Sequence, residues 1–318
     1  MAQHPSKIGN LLTKCNLKGT WQADAPMSGH TTFRVGGPAD FLVFPRSFED
    51  VQVVRELARN QGIPLTIVGR GANLLVADQG IRGITLAMSS LVGFQWKQSL
   101  LTVSAGTDVS DAARAGLDGG FSCLEFLNAM PSTVGGAIWM NARCYGWEIA
   151  DVLSSVTVLD ESNRTVIVPF AAKDWSYKKS PFQGRDWLIL EASFRTSPAT
   201  REAVEAVMVA NEADRTAKGH FRAPCAGSVF KNNHAFGAAS GVLIDRCGLK
   251  GLRCGKAVVS DWHANIIINE GGALASDIRQ LINAVKQKVH SKMGFLLEEE
   301  VVYCGDWSLS EVDINKVV

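Results

Sequence analysis

The residues in this chain best suited to chemistry fall into four short segments. In AGSVFKNN, Gly227 leaves room beside the Ser228 hydroxyl, and Lys231 and Asn232 follow with an ammonium and an amide. A small residue, a hydroxyl and then a cation suit an anionic substrate held near a proton donor. An edge strand with its Ser and Lys in water has the same composition. No Gly-x-Ser-x-Gly elbow surrounds Ser228, which disfavours a hydrolytic nucleophile. The run Glu298-Glu299-Glu300 precedes Val301-Val302-Tyr303. In an extended segment, alternation sends Glu298 and Glu300 to one side and Glu299 to the other, so one carboxyl can enter a site while its neighbour stays solvated. The other two segments are rich in glycine. IVGRGANLLV reads as a strand followed by Gly69-Arg70-Gly71, where positive φ and unobstructed N–H groups suit an anion such as a pyrophosphate. Leu74, however, stands where a dinucleotide fingerprint needs a small residue. MPSTVGGAIWMNA carries Pro131, the hydroxyls of Ser132 and Thr133, and a Gly135-Gly136 pair that removes side chains where backbone passes close to a partner. Each glycine segment alone is equally compatible with a tight turn; two of them a subdomain apart favour an extended, dinucleotide-like ligand.

The chain that must position these groups has 318 residues, 46% of them hydrophobic, with 32 Lys+Arg against 31 Asp+Glu. A formal charge of +1 lacks the basic excess of a nucleic-acid or anionic-membrane binder, and the apolar content argues against disorder. The length calls for two or three subdomains. Seven scattered cysteines without a CxxC pair read as reduced thiols of a cytoplasmic protein. The six histidines form no HxH or HExxH pattern, so no metal centre is expected. No apolar stretch is long enough to span a membrane, and MAQHPSKIGNLLTK lacks the apolar region of a signal peptide.

A polar lead-in helix occupies 1–19. Phe41–Phe44, a helix opened by Ser47 with Glu49 and Asp50 in its first turn, and Leu65–Val68 make a strand–helix–strand unit. A second helix starts after Thr107 or Asp108, and Val152–Leu159 with Arg164–Val168 reads as a hairpin around Asp160–Asn163. Ser197-Pro198 marks a subdomain boundary. Helix Arg201–Lys218 is expected to turn Val204, Val207, Met208 and Ala210 inward. A last helix, from Asp277 to about His290, carries Ile278, Leu281, Ile282, Val285 and Val289 on one face. The fold class is α+β, divided as 1–19, 20–90, 91–198 and 199–318, with the final residues expected to pack back onto the first domains.

Read in order, TTFRVGGPAD, IVGRGANLLV, MPSTVGGAIWMNA, SYKKS, AGSVFKN, LIDRCGLKG, VSDWHANIIIN and LLEEEV resemble the blocks of the UDP-N-acetylenolpyruvoylglucosamine reductase family, from Thr31 to Val301. The short connection from Ser180 to Phe194 resembles the family's shorter variant, without an inserted loop carrying a gating tyrosine. The resemblance implies an FAD enzyme of peptidoglycan precursor synthesis with the activity of a UDP-N-acetylmuramate dehydrogenase. Residues 20–90 and 91–198 would be flavin-binding subdomains of the vanillyl-alcohol-oxidase type, and 199–318 an α+β substrate domain. Hydride would pass from NADPH to the flavin and then to the vinylic carbon of the enolpyruvyl ether, with a proton completing the lactyl ether.

By the same resemblance the cofactor contacts fall on Gly69, Arg70, Gly71, Ala72, Asn73 and Leu74, and on Pro131, Ser132, Thr133, Gly135, Gly136 and Asn141. Substrate contacts fall on Tyr145, Lys231 and Asn232; Arg215, Arg246 and Lys250 are available by charge alone for the UDP phosphates. Ser228 becomes the proton donor, with Lys231 easing its proton loss, and Glu300 assists. A Glu300 facing the enolate has to carry its proton, because a carboxylate would repel that charge. Two positions depart from the pattern. Lys178, in SYKKS, stands where the family has its catalytic arginine, keeping the charge but losing the planar fork: Lys178 substitutes with poorer enolate stabilisation, the preferred reading, or Lys179 or Arg185 takes over, or catalysis is impaired. Arg143, in NARCYG, stands where a small residue is usual, and either compensates for the missing arginine or points to solvent. Two rivals remain. Another FAD oxidoreductase of the superfamily has no need of AGSVFKN and LLEEEV, and a non-catalytic paralogue would bind flavin or nucleotide sugar without turnover.

Overall fold

The computed structural model describes residues 5–308 and Val317. The chain divides into two units, one made of Met1–Ala23, Phe41–Arg70 and Gly83–Asp214, the other of Asp24–Asp40, Gly71–Arg82 and Arg215–Val318.

In the first unit Ser47 caps helix Phe48–Asn60 by accepting from the Asp50 N–H, and the buried Asp50 carboxylate accepts from the N–H groups of Lys18, Gly19 and Arg46 at 2.8–2.9 Å. The apolar side of this helix packs with Ile8 and Leu12 of helix Pro5–Lys14. A four-stranded sheet runs in the order Thr20–Pro26, Pro38–Phe44, Ile81–Ala87, Leu65–Val68, its last pair parallel. A second sheet of five antiparallel strands has the order Thr165–Pro169, Leu153–Leu159, Leu188–Arg195, Leu100–Ser104, Phe94–Lys97, and contains the expected hairpin. Helix Val109–Gly119, capped by Asp108, and the short helix Val134–Trp139 pack on its core. The buried Arg55 guanidinium ties helix Phe48–Asn60 to the carbonyls of Leu159, Asp160 and Asp186.

In the second unit helix Ala275–Met293 buries Ile278, Leu281, Ile282, Val285 and Val289 as the periodicity requires. It packs beside the antiparallel strands Arg253–Cys254, Ala257–Val259 and Ile267–Asn269. The Asp78 carboxylate satisfies the first N–H groups of that helix, accepting from Ala275 and Ser276 at 2.7 and 2.9 Å. Strand Leu74–Val76 pairs in parallel with Val302–Cys304.

Several expectations are corrected. Ser197-Pro198 is not a boundary: it pairs with Phe121–Ser122. The following helix, Arg201–Ala217, buries Val204 and Met208 in the core of the first unit, so the division falls after Asp214. Val207 and Ala210 face solvent and Asn211 is buried in their stead, its amide donating to the Glu125 carbonyl. The lead-in helix ends at Lys14, ahead of Gly19. The expected return of the C-terminal tail falls mostly on 309–316 and 318, outside the described residues.

Candidate active site

Strand Leu65–Val68 runs into Gly69, where a side chain would meet Thr133: an added Cβ would stand 2.6 Å from its Oγ1. Arg70 forms an ion pair with Asp108. Gly71 has φ +65, and a Cβ there would lie 2.1 Å from the His30 carbonyl oxygen. The N–H groups of Arg70, Gly71 and Ala72 make no hydrogen bond with a described residue, which leaves them as donors for an anion. The second glycine segment behaves differently. Thr133 caps the helix that follows, accepting from Gly136; the Gly135 N–H goes to Ala105 and the Val134 N–H to Thr107. Its donors are therefore spent within the fold, and Gly135 is small because a Cβ would come within 2.9 Å of Ala105. The Gly135-Gly136 pair forms a helix start, half-buried, with its N–H groups bonded inside the fold. Gly71→Ala is expected to shift the 69–74 loop and lower the amount bound per chain of the FAD that the resemblance implies, read as the visible absorbance of the purified protein.

Asn141 follows the short helix in a left-handed conformation (φ +44) and is fully buried. Its amide nitrogen donates to Glu148 Oε2 at 2.8 Å and to the Ser176 carbonyl at 2.9 Å. Both neighbours are acceptors only, so the opposite amide orientation is excluded. Asn141 Oδ1 then has no partner among the described residues, a buried acceptor left without a donor. Hairpin Arg143–Cys144/Trp147–Glu148 follows, with Tyr145 and Gly146 both at positive φ in its tip. Tyr145 does not hold its hydroxyl free for substrate: it lies 3.1 Å from the Asn211 carbonyl and 2.9 Å from Asp214. Lys178 sits, half-buried and at φ +58, in a tight turn closed by Ser176 and Lys179. Ser180 is buried and donates to the Trp139 carbonyl, and Gln183 donates to that carbonyl and to Lys178 O.

In the second unit Gly227 (φ +69) leads into Ser228, which bridges to Ile266. Ser228 is half-buried, and its hydroxyl makes no hydrogen bond with a described residue. Glu300 adjoins it along the backbone: the Glu300 N–H donates to Val229 O at 2.7 Å, and the Phe230–Glu299 bridge runs antiparallel. Asn73 holds Glu300 from the other side, its side-chain amide donating to the Glu300 carbonyl at 2.8 Å and its own carbonyl accepting from Val302. The two predicted segments thus meet at Asn73 and Glu300. Lys231 is no loose cation beside Ser228: its ammonium lies 2.6 Å from Glu298. Asn232 accepts from the Ser240 N–H, fixing the start of helix Ser240–Arg246, and Lys250 pairs with Asp245. Glu299 pairs with Lys286 at 2.6 Å, so alternation does separate Glu299 from Glu298, but in irregular backbone ahead of strand Val302–Cys304.

Asn265, within the VSDWHANIIIN block, was not singled out by spacing. Its carbonyl accepts from Val229, its Oδ1 from the Phe230 N–H, and its Nδ2 donates to Phe230 O, so one buried side chain holds the segment that carries Ser228. Glu148 was missed in the same way. His263 accepts from the Asn265 N–H through Nδ1, which requires a neutral ring. Burial lowers its pKa, and the charges of Lys218 and Lys250 lower it further. A depressed folded-state value means that the stability contributed is complete above the unfolded value of about 6.5 and is lost as pH falls through the folded one. Denaturant unfolding at pH 5 and pH 8 should differ less in His263→Asn than in the parent chain.

Comparison with known families gives the class: a flavoprotein oxidoreductase with an FAD-binding domain followed by a C-terminal domain of its own. The family profile "FAD binding domain" matches residues 39–168, and "UDP-N-acetylenolpyruvoylglucosamine reductase, C-terminal domain" matches residues 219–304. The UDP-N-acetylenolpyruvoylglucosamine reductase of Borreliella burgdorferi is 35% identical over 95% of this chain and 99% of its own length, and that of Treponema denticola 36% over 91% and 95%. The crystal structure of the Thermus caldophilus reductase superposes with a TM-score of 0.74 at 29% identity, covering 91% of this chain and 99% of that one. The chain belongs to the UDP-N-acetylenolpyruvoylglucosamine reductase family.

Among the described residues no helix is long and apolar enough to cross a membrane. The FAD that the family implies fits the residues present on one count: the N–H groups at 70–72, unspent among the described residues, suit its pyrophosphate.

Proposed function

We propose that this chain reduces the enolpyruvyl ether of UDP-N-acetylenolpyruvoylglucosamine to UDP-N-acetylmuramate, consuming NADPH, in the cytoplasmic synthesis of peptidoglycan precursors. The observation that carries the reading is similarity to reductases of that name along nearly the whole chain, with Ser228 and Glu300 on adjoining backbone. The described cysteines are thiols and not disulfides, which supports the cytoplasmic assignment. FAD, held by Gly69–Leu74 and by Asn141, supplies the hydride carrier between NADPH and the substrate.

The chain's own residues have two tasks. Hydride addition at the terminal vinylic carbon leaves negative charge on the next carbon, delocalised into the substrate carboxylate. A cation must face that charge, and Lys178 supplies it as an ammonium in place of a guanidinium. The carbon must then be protonated, and the Ser228 hydroxyl, bonded to no described residue, gives its proton there with Glu300 assisting. Lys231, neutralised by Glu298, contributes a directed donor more than a net charge. We assign substrate binding to the C-terminal unit.

The test is anaerobic stopped-flow of the purified holoenzyme. NADPH should bleach the flavin, and the enol ether should restore its absorbance. Bleaching without recovery would sink the assignment of substrate while leaving the flavin site intact.

A further inference from the structure

Lys178 poses a positional problem. It is a non-glycine residue in the left-handed region, a conformation costing about 1–2 kcal/mol that persists only when the surroundings enforce it. The turn that carries it is closed by two main-chain hydrogen bonds, Lys179 N to Ser176 O at 2.9 Å and Ser176 N to Lys179 O at 3.2 Å. Two such bonds do not define where the tip points.

The enforcement comes from the hairpin at 143–148. Asn141 grips the base of the turn at the Ser176 carbonyl, and Gln183 holds the Lys178 carbonyl. At the tip, the Arg143 guanidinium lies over the Tyr177 ring, 5.9 Å from its centroid, one residue before Lys178. Arg143 is itself aimed: it stands opposite Glu148 across the hairpin, its Nε 3.9 Å from Glu148 Oε1. The other oxygen of Glu148 accepts from Asn141, so one carboxylate links both grips to the same hairpin. The Arg143 side chain is 41% exposed, so these contacts are made at the protein surface.

We propose that Arg143 is a positioning residue for Lys178, acting through the Tyr177 ring. The arginine absent from 178 and the arginine gained at 143 are then one arrangement, in which a flexible ammonium is held where a planar fork would have oriented itself. The inference rests on the role given to Lys178 under the proposed function, and the test separates the two.

The experiment follows both half-reactions of the holoenzyme by anaerobic stopped-flow in Arg143→Met, Tyr177→Leu, their double variant, Tyr177→Phe and Lys178→Ala. The expected result is an unchanged NADPH bleaching rate and a recovery rate lowered about tenfold in each of the first two. The double variant should be no slower than either single one, because both remove the same contact. Tyr177→Phe, which keeps the ring, should recover at the parent rate. Unchanged recovery in Arg143→Met overturns the proposal. Additive losses in the double variant also overturn it, since Arg143 would then act on substrate directly. A loss of bleaching in parallel with recovery overturns it as well, because Arg143 would then support the flavin domain at large. If Lys178→Ala itself recovers at the parent rate, the role given to Lys178 fails instead.

Discussion

Ser228→Ala is expected to bleach with NADPH at the parent rate and to regain its flavin absorbance with the enol ether about 10²–10⁴-fold more slowly, the usual loss when a positioned proton donor is removed. The specificity of the effect follows from local structure. The Ser228 hydroxyl bonds to no described residue, so its removal breaks no contact in the fold. The segment around it is held instead by the Asn265 backbone and side chain at Val229 and Phe230, which the substitution leaves in place. Ser228→Cys, which restores a proton at that position, should recover part of the rate. Parent-like recovery in Ser228→Ala would take the proton from Ser228 and give it to Glu300 or to water.

The largest effect on stability is expected at Arg55, whose side chain is 1% exposed. One of its terminal nitrogens donates to Leu159 O at 3.0 Å and Asp160 O at 2.6 Å, and the other to the Asp186 carbonyl and carboxylate. Arg55→Met fills much of the volume but leaves buried carbonyls without a donor, a loss of about 3–5 kcal/mol for breaking such a network. Arg59 is the internal control. It reaches the same Asp186 carboxylate at 2.5 Å, but from a partly exposed position, so Arg59→Met should cost under about 1 kcal/mol. Urea unfolding of the two variants distinguishes them. Equal losses would mean that the Asp186 ion pair, and not the carbonyl network, carries the stability.

Much of the architecture was legible in the sequence because it is decided within a few residues. Ser47 and Asp108 cap the helices that were read from them, and the apolar face of helix Ala275–Met293 follows its periodicity residue for residue. The hairpin around Asp160 forms because its carboxylate accepts from the N–H groups of Ser162 and Arg164. Where local patterns failed, a distant contact had the stronger claim. Val207 sits at helical spacing from Val204, but the core of that unit takes Met208 and Asn211, leaving Val207 outside. The Gly135-Gly136 pair resembles a ligand loop in composition, and only the approach of Ala105 and Thr107 reveals a packed helix start.

The sequence by itself therefore determined the helices and strands, the α+β class, and the ordered motifs by which the family is recognised. Tertiary structure alone decided which polar groups remain available for chemistry. Lys231 meets Glu298, Asn232 meets Ser240, Asn73 meets Glu300 and Asn141 meets Ser176 through sheet register and loop packing. A side chain of the right type is free to act only if no such neighbour claims it, and partners so distant along the chain come within hydrogen-bonding reach only after folding. Ser228 is the candidate donor that folding left unclaimed among the described residues.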